Sequence, residues 1–99
     1  MANVILEITY EVDPSKRSEY LRLIEEMKTH FTTVRKKEYR VFEVKGKTNA
    51  FVEQFVCGSM EEYEKLEDDL DEKSETMVDQ LGEMIRDGTT RYSTLVEVS

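Results

Sequence analysis

Asn49-Ala50-Phe51-Val52-Glu53-Gln54-Phe55-Val56-Cys57-Gly58-Ser59-Met60-Glu61-Glu62-Tyr63 is the stretch on which the fold turns. Phe51, Val52, Phe55 and Val56 favour an extended, half-buried backbone. Gly58 breaks that run. Ser59 and Glu62 then form a Ser-x-x-Glu capping box, so the chain turns directly into a helix whose first apolar residues are Met60 and Tyr63. A strand feeding a helix is therefore written at the centre of the chain, and the flanks are placed around it.

Upstream, residues 3–12 alternate, with Val4, Leu6, Ile8, Tyr10 and Val12 on one parity and Asn3, Ile5, Glu7, Thr9 and Glu11 on the other. That period of two predicts a strand. Asp13-Pro14 supplies an N-cap acid and a proline at the first helical position. Tyr20, Leu23, Ile24, Met27, Phe31 and Val34 then recur at spacings of three and four, the apolar stripe of a helix over 14–33. A second strand covers 38–45. Gly46-Lys47-Thr48-Asn49 is turn chemistry, so strands two and three should form a hairpin. Downstream, the stripe Met60, Tyr63, Leu66, Leu70, Met77, Leu81 and Met84 predicts helix over 59–86, either one long bent helix or two helices broken near 72–74, where the stripe meets Lys73 or Ser74. Asp87-Gly88 ends it, and 89–98 is a last strand.

The order β-α-β-β-α-β makes residues 1–99 one α+β domain. Its arrangement is ferredoxin-like, an antiparallel four-stranded sheet with the helices on one face. The parity of strand three relative to the helices is open: Phe51, Glu53, Phe55 and Cys57 lie on one side, Ala50, Val52, Gln54 and Val56 on the other. Either choice leaves apolar groups on the bare face, with Ile5 and Leu95, and closing two such faces in a two-fold homodimer covers them.

Composition narrows the function. The net charge of −8 argues against nucleic acid, whose affinity rests on neutralised phosphates. Basic residues gather at 35–47 and acids at 61–87, which reads as two solvated surfaces of opposite sign. No apolar run approaches the ~20 residues of a membrane span. One cysteine excludes an internal disulfide framework and fits a reducing compartment, so the expected location is the cytoplasm.

The element order, with Phe-Val-Cys-Gly-Ser-Met-Glu-Glu-Tyr at 55–63, resembles the dimeric α+β barrel superfamily near its antibiotic-biosynthesis monooxygenase group. The resemblance implies this fold and a dimer. The chain departs from the group's site pattern. Cys57 stands where that family has tryptophan, Glu67-Asp68-Asp69 where its histidine is expected, and Leu6 near the asparagine of haem-degrading members.

Five residues gather at the strand-three joint as candidate ligand contacts: Tyr10, His30, Phe55, Cys57 and Tyr63. Rings at 10, 55 and 63 offer stacking surface to a planar ligand. His30 is the side chain best suited to proton transfer near neutral pH, although a lone boundary histidine is more often solvated or capping. Cys57 sits before a helix N-terminus but among apolar neighbours, and reads as structural. Glu53 and Glu7 are candidates for the inward face of the dimer barrel, as desolvated carboxylates or as paired rim residues. Asp68, Asp69, Asp71 and Glu72 lack calcium-loop spacing, and no metal is expected. With no phosphate loop and no dinucleotide fingerprint, no cofactor is expected either. The reading favoured is a non-catalytic small-molecule-binding or sensing homodimer, with no nucleic-acid or membrane partner. The alternative is a cofactor-free monooxygenase-like or isomerase-like enzyme acting on a small aromatic metabolite. No catalytic residue is assigned.

Overall fold

The structure, a computed structural model, describes residues 2–66 and 71–98. The elements run β1 (Val4–Glu11), α1 (Arg17–Thr29), β2 (Glu38–Glu43), β3 (Ala50–Cys57), α2 (Met60–Glu64), α3 (Glu72–Met84) and β4 (Arg91–Val96). All strand pairs are antiparallel, in the order β2-β3-β1-β4. This is the ferredoxin-like α+β arrangement.

Local chemistry sets the joints. Asp13 Oδ1 accepts from Ser15 N at 2.9 Å, and Pro14 opens one 3-10 turn that leads into α1. The helix widens at its end into a π turn over His30–Val34. The β2–β3 hairpin turns through Gly46 and Asn49, both at positive φ. Ser59 Oγ accepts from Glu62 N at 3.1 Å, while the Glu62 carboxylate reaches back to Gly58 N at 2.8 Å. The capping box thus closes one residue early, on the glycine that ends β3.

Register decides which parity of β3 faces the helices. Phe51 pairs with Tyr10, Glu53 with Ile8, Phe55 with Leu6 and Cys57 with Val4. Tyr10, Phe51, Glu53 and Cys57 are all buried, so this parity lies under the helices. Phe51 and Phe55 therefore do not contribute to the bare face, as the dimer argument had allowed. Ile5, Val52, Val56, Phe42 and Leu95 do, around a hydrogen bond from Gln54 Nε2 to Glu7 Oε1 at 2.9 Å. Glu7 and Glu53 lie on opposite faces and cannot share one.

Element ends fall a few residues inside the expected ones, as at β2 (38–43 against 38–45) and β4 (91–96 against 89–98), and the helices depart from expectation in their detail. Val34 is 63% exposed, because the π turn rotates it off the stripe that buries Tyr20, Leu23, Ile24, Met27 and Phe31. The second helical region is two helices. The second begins at Glu72, near the expected break, with Asp71 as its cap accepting from Ser74 N at 2.8 Å, and Ser74 itself is fully buried in the stripe with Met77 and Leu81. Helix α3 ends at Met84, where Ile85 becomes extended and bridges Val12. Leu70 of the predicted stripe, and Asp68 and Asp69 of the acidic cluster, lie outside the described residues.

Candidate ligand cavity

The two long helices use the sheet differently. Tyr20 of α1 packs on Phe51 with ring centroids 4.4 Å apart, and Phe31, just beyond its end, packs on Tyr39 at 5.0 Å and on Phe55 at 5.1 Å. α3 turns Ser74, Met77 and Leu81 inward and packs chiefly against α1. Val78 and Gly82 on its other side, and Ile85 just past its end where it bridges Val12, border a space in front of the sheet. The space left is a cavity of about 420 Å³, with Ile8, Phe55 and Glu53 from the sheet and Val78, Leu81 and Ile85 from the α3 side among its walls. Tyr92 on β4 borders it and is 71% exposed, so the cavity opens beside the sheet edge.

Glu53 is the buried carboxyl of this cavity, whose lining also includes Arg35, Lys37, Arg86 and Asp87. It sits in mid-strand, only 2% exposed, between Ile8 and Val41 across the sheet. The Tyr39 hydroxyl donates to its Oε1 at 2.6 Å. The Tyr10 hydroxyl shares a 2.7 Å hydrogen bond with Tyr20 and also favours the Glu53 carboxylate. Burial outweighs both and raises the Glu53 pKa above the ordinary glutamate value. Burial, and next the Glu53 charge, push the Tyr10 and Tyr39 hydroxyls far up, so both remain donors. No basic side chain is hydrogen-bonded to Glu53 among the described residues. A neutral Glu53 accepts from Tyr39 on one oxygen and has an O–H to offer on the other; ionised, it offers a desolvated base.

Of the residues expected from sequence, Tyr10 and Phe55 line the cavity and the other three do not. His30, 5% exposed, directs Nε2 at both Asp71 oxygens, at 2.9 and 3.1 Å, and its Nδ1 has no hydrogen-bond partner among the described residues. The Ser74 side-chain and backbone hydrogen bonds hold the Asp71 carboxyl well below the usual range, so the carboxylate accepts and His30 Nε2 carries the proton. This pair pins the π turn to the start of α3. Cys57 is buried near Glu62, and burial first, then that charge, pushes its thiol up. Such a thiol is a small core side chain. Tyr63 is half-buried and hydrogen-bonds Thr94 Oγ1 at 2.6 Å.

Sequence reasoning weighed Glu53 but passed over Tyr39, Val78, Gly82, Ile85 and Tyr92. A charged residue on the parity of Phe51, Phe55 and Cys57 was the available signal, unusable until that parity had a direction. No group of three histidine, cysteine or acidic side chains is placed to hold a metal among the described residues.

The class defined here is a ferredoxin-like α+β domain with a ligand-sized cavity between sheet and helices. No family model and no curated protein sequence matches the chain. Solved structures share its fold. A candidate antibiotic biosynthesis monooxygenase from Caulobacter crescentus superposes with a TM-score of 0.81 at 13% identity, over 99% of this chain and 92% of that one. SnoaB, a cofactor-independent oxygenase from Streptomyces nogalater, gives 0.76 at 10%, over 98% and 94%. A NIPSNAP family protein from Agrobacterium tumefaciens gives 0.75 at 15%, over 97% and 86%. The chain therefore has the fold of the antibiotic-biosynthesis-monooxygenase type, as its strand-three joint implied. Among the described residues no helix is long and apolar enough to cross a membrane.

Proposed function

We propose that this protein binds a small, flat, largely apolar molecule in the cavity between α3 and the sheet, anchored at Glu53. The observation that carries this reading is one buried carboxyl, held by Tyr39, on the wall of an otherwise mostly apolar space of about 420 Å³. Binding cavities combine apolar walls with a few placed polar groups, and strongly perturbed acids cluster in them. Tyr10 and Phe55 contribute ring surface to the ligand. Glu53 in its neutral form donates to a carbonyl or similar acceptor, so affinity is highest while it is protonated and falls as pH rises through its raised pKa.

The flat, neutral, carbonyl-bearing dye Nile red tests this by fluorescence titration. Glu53→Leu makes the cavity more apolar yet should weaken binding roughly tenfold, because the acceptor loses its donor. Glu53→Gln keeps an N–H donor and should retain affinity with no pH dependence. Equal or tighter binding by Glu53→Leu refutes the anchor.

A second reading has its own support: an acid whose pKa is raised by burial is suited to proton transfer, as a cofactor-free enzyme acting on a small aromatic metabolite would need. Turnover abolished by Glu53→Gln, with affinity kept, would establish it.

The functional unit proposed is a homodimer in the cytoplasm, closed through the bare sheet face. Support comes from Ile5, Val52 and Val56, half-buried, and Phe42 and Leu95, exposed, on that face. Light scattering should give twice the chain mass, and Ile5→Asp should halve it by placing a charge in a desolvated contact. A wild-type monomer would rule the dimer out.

A further inference from the structure

Resting on the ligand cavity just described, we propose that Gly82 is its specificity-determining residue, the position on α3 whose missing side chain sets how wide a ligand the cavity admits. The chain has four glycines. Gly46 and Gly88 lie at φ +85° and +76°, where other residues are strained. Gly58 joins β3 to α2 and gives its N–H to Glu62, whose carboxylate would stand 3.4 Å from an added Cβ. Gly82 has no such reason. It lies inside α3, two residues before the helix ends, at an ordinary helical φ. An added Cβ there would meet nothing within 4 Å among the described residues.

Glycine is, after proline, the worst helix former, and nothing among the described residues requires one here. The open volume is cavity. Val78 lies one turn before Gly82 on the same face of α3, Ile85 follows just past the end of the helix, and all three line the cavity. Val78 is 44% exposed, so its apolar surface borders the open side of the cavity. A ring lying across the Gly82 backbone would cover it, and a side chain at 82 would occupy the same place.

The test is Nile red, which is broad and flat, beside the slender rod diphenylhexatriene, titrated into wild type, Gly82→Ala and Gly82→Leu with thermal unfolding measured in parallel. Gly82→Ala should raise Tm by roughly 4–8 °C, as expected for a helix-interior glycine replaced in a domain of this size, and weaken Nile red. Gly82→Leu should stay folded, since nothing clashes, and lose about tenfold or more in Nile red affinity while keeping diphenylhexatriene. Unchanged Nile red affinity in a folded Gly82→Leu protein overturns the role of Gly82, and so does equal loss of both probes. Wild type that binds neither probe overturns the cavity reading beneath it as well.

Discussion

The two halves of the helical layer rest on the same sheet with opposite results. Under α1 the rings of Tyr20 and Phe51, and those of Phe31, Tyr39 and Phe55, pack at centroid distances of 4.4–5.1 Å, and the cavity borders this half along Met27, Phe31 and Phe55. Under α3 the sheet residues Leu6 and Ile8 face a cavity. The cause lies in how each helix is tied down. Arg17 at the start of α1 grips Glu43 with both terminal nitrogens, at 2.6 and 2.9 Å, and also bonds Asn49, so the helix is clamped to the β2–β3 hairpin. Large rings along its length then fill the gap. Among the described residues α3 is tied near its two ends: Asp71 meets His30, Arg35 donates to Ser74 Oγ at 3.2 Å, and the Met84 carbonyl accepts from Asp13 N at 3.0 Å. Between these points it leans on α1, and small Ser74 lets it lean closely. A helix held at both ends and supported from the side can span a void that a helix pressed on the sheet cannot. One half of the layer supplies stability, which frees the other to stay open.

Truncations in the two halves should therefore differ most of all. Phe51→Ala removes a ring buried between Tyr20 and Arg17 and should cost about 3–5 kcal/mol in denaturant unfolding. Val78→Ala, on the exposed cavity wall, should stay within about 0.5 kcal/mol. Similar costs at the two sites would erase the distinction. At the boundary between the halves, Tyr39→Phe leaves Glu53 without its Oε1 donor and should cost about 1–3 kcal/mol, most where Glu53 is ionised.

The same carboxyl gives the open half a pH signature. Glu53 binds its proton more tightly folded than unfolded, so its contribution to stability falls as pH rises from the ordinary glutamate value through the raised one. Glu53→Gln should flatten that slope and gain on wild type towards the alkaline side. A wild-type slope identical to that of Glu53→Gln would mean the carboxyl titrates normally.

Much of the closed half was legible in the sequence. Its stripe of Tyr20, Leu23, Ile24, Met27 and Phe31 has one period and one partner surface, and the structure differs only where the π turn carries Val34 outward. The hairpin and the Ser59 cap were local chemistry and read as such. The open half was not legible for the opposite reason. Whether Phe55 faces helices or a partner sheet depends on register, a property of the paired strands rather than of any one run. A cavity is also the absence of packing, and Val78, Gly82 and Ile85 leave no periodic mark that separates them from an ordinary helix surface. His30 shows the same limit from another side: its partner Asp71 is forty-one residues away and stands among many acids.

The central claim, one closed half and one ligand-bearing half, is tested most directly by methyl NMR during titration with Nile red. The Ile8, Leu81 and Ile85 methyl resonances should move with ligand, while those of Leu23 and Ile24 under α1 stay fixed. Movement confined to Ile5, Val52 and Val56 would place the ligand on the bare sheet face and contradict the account.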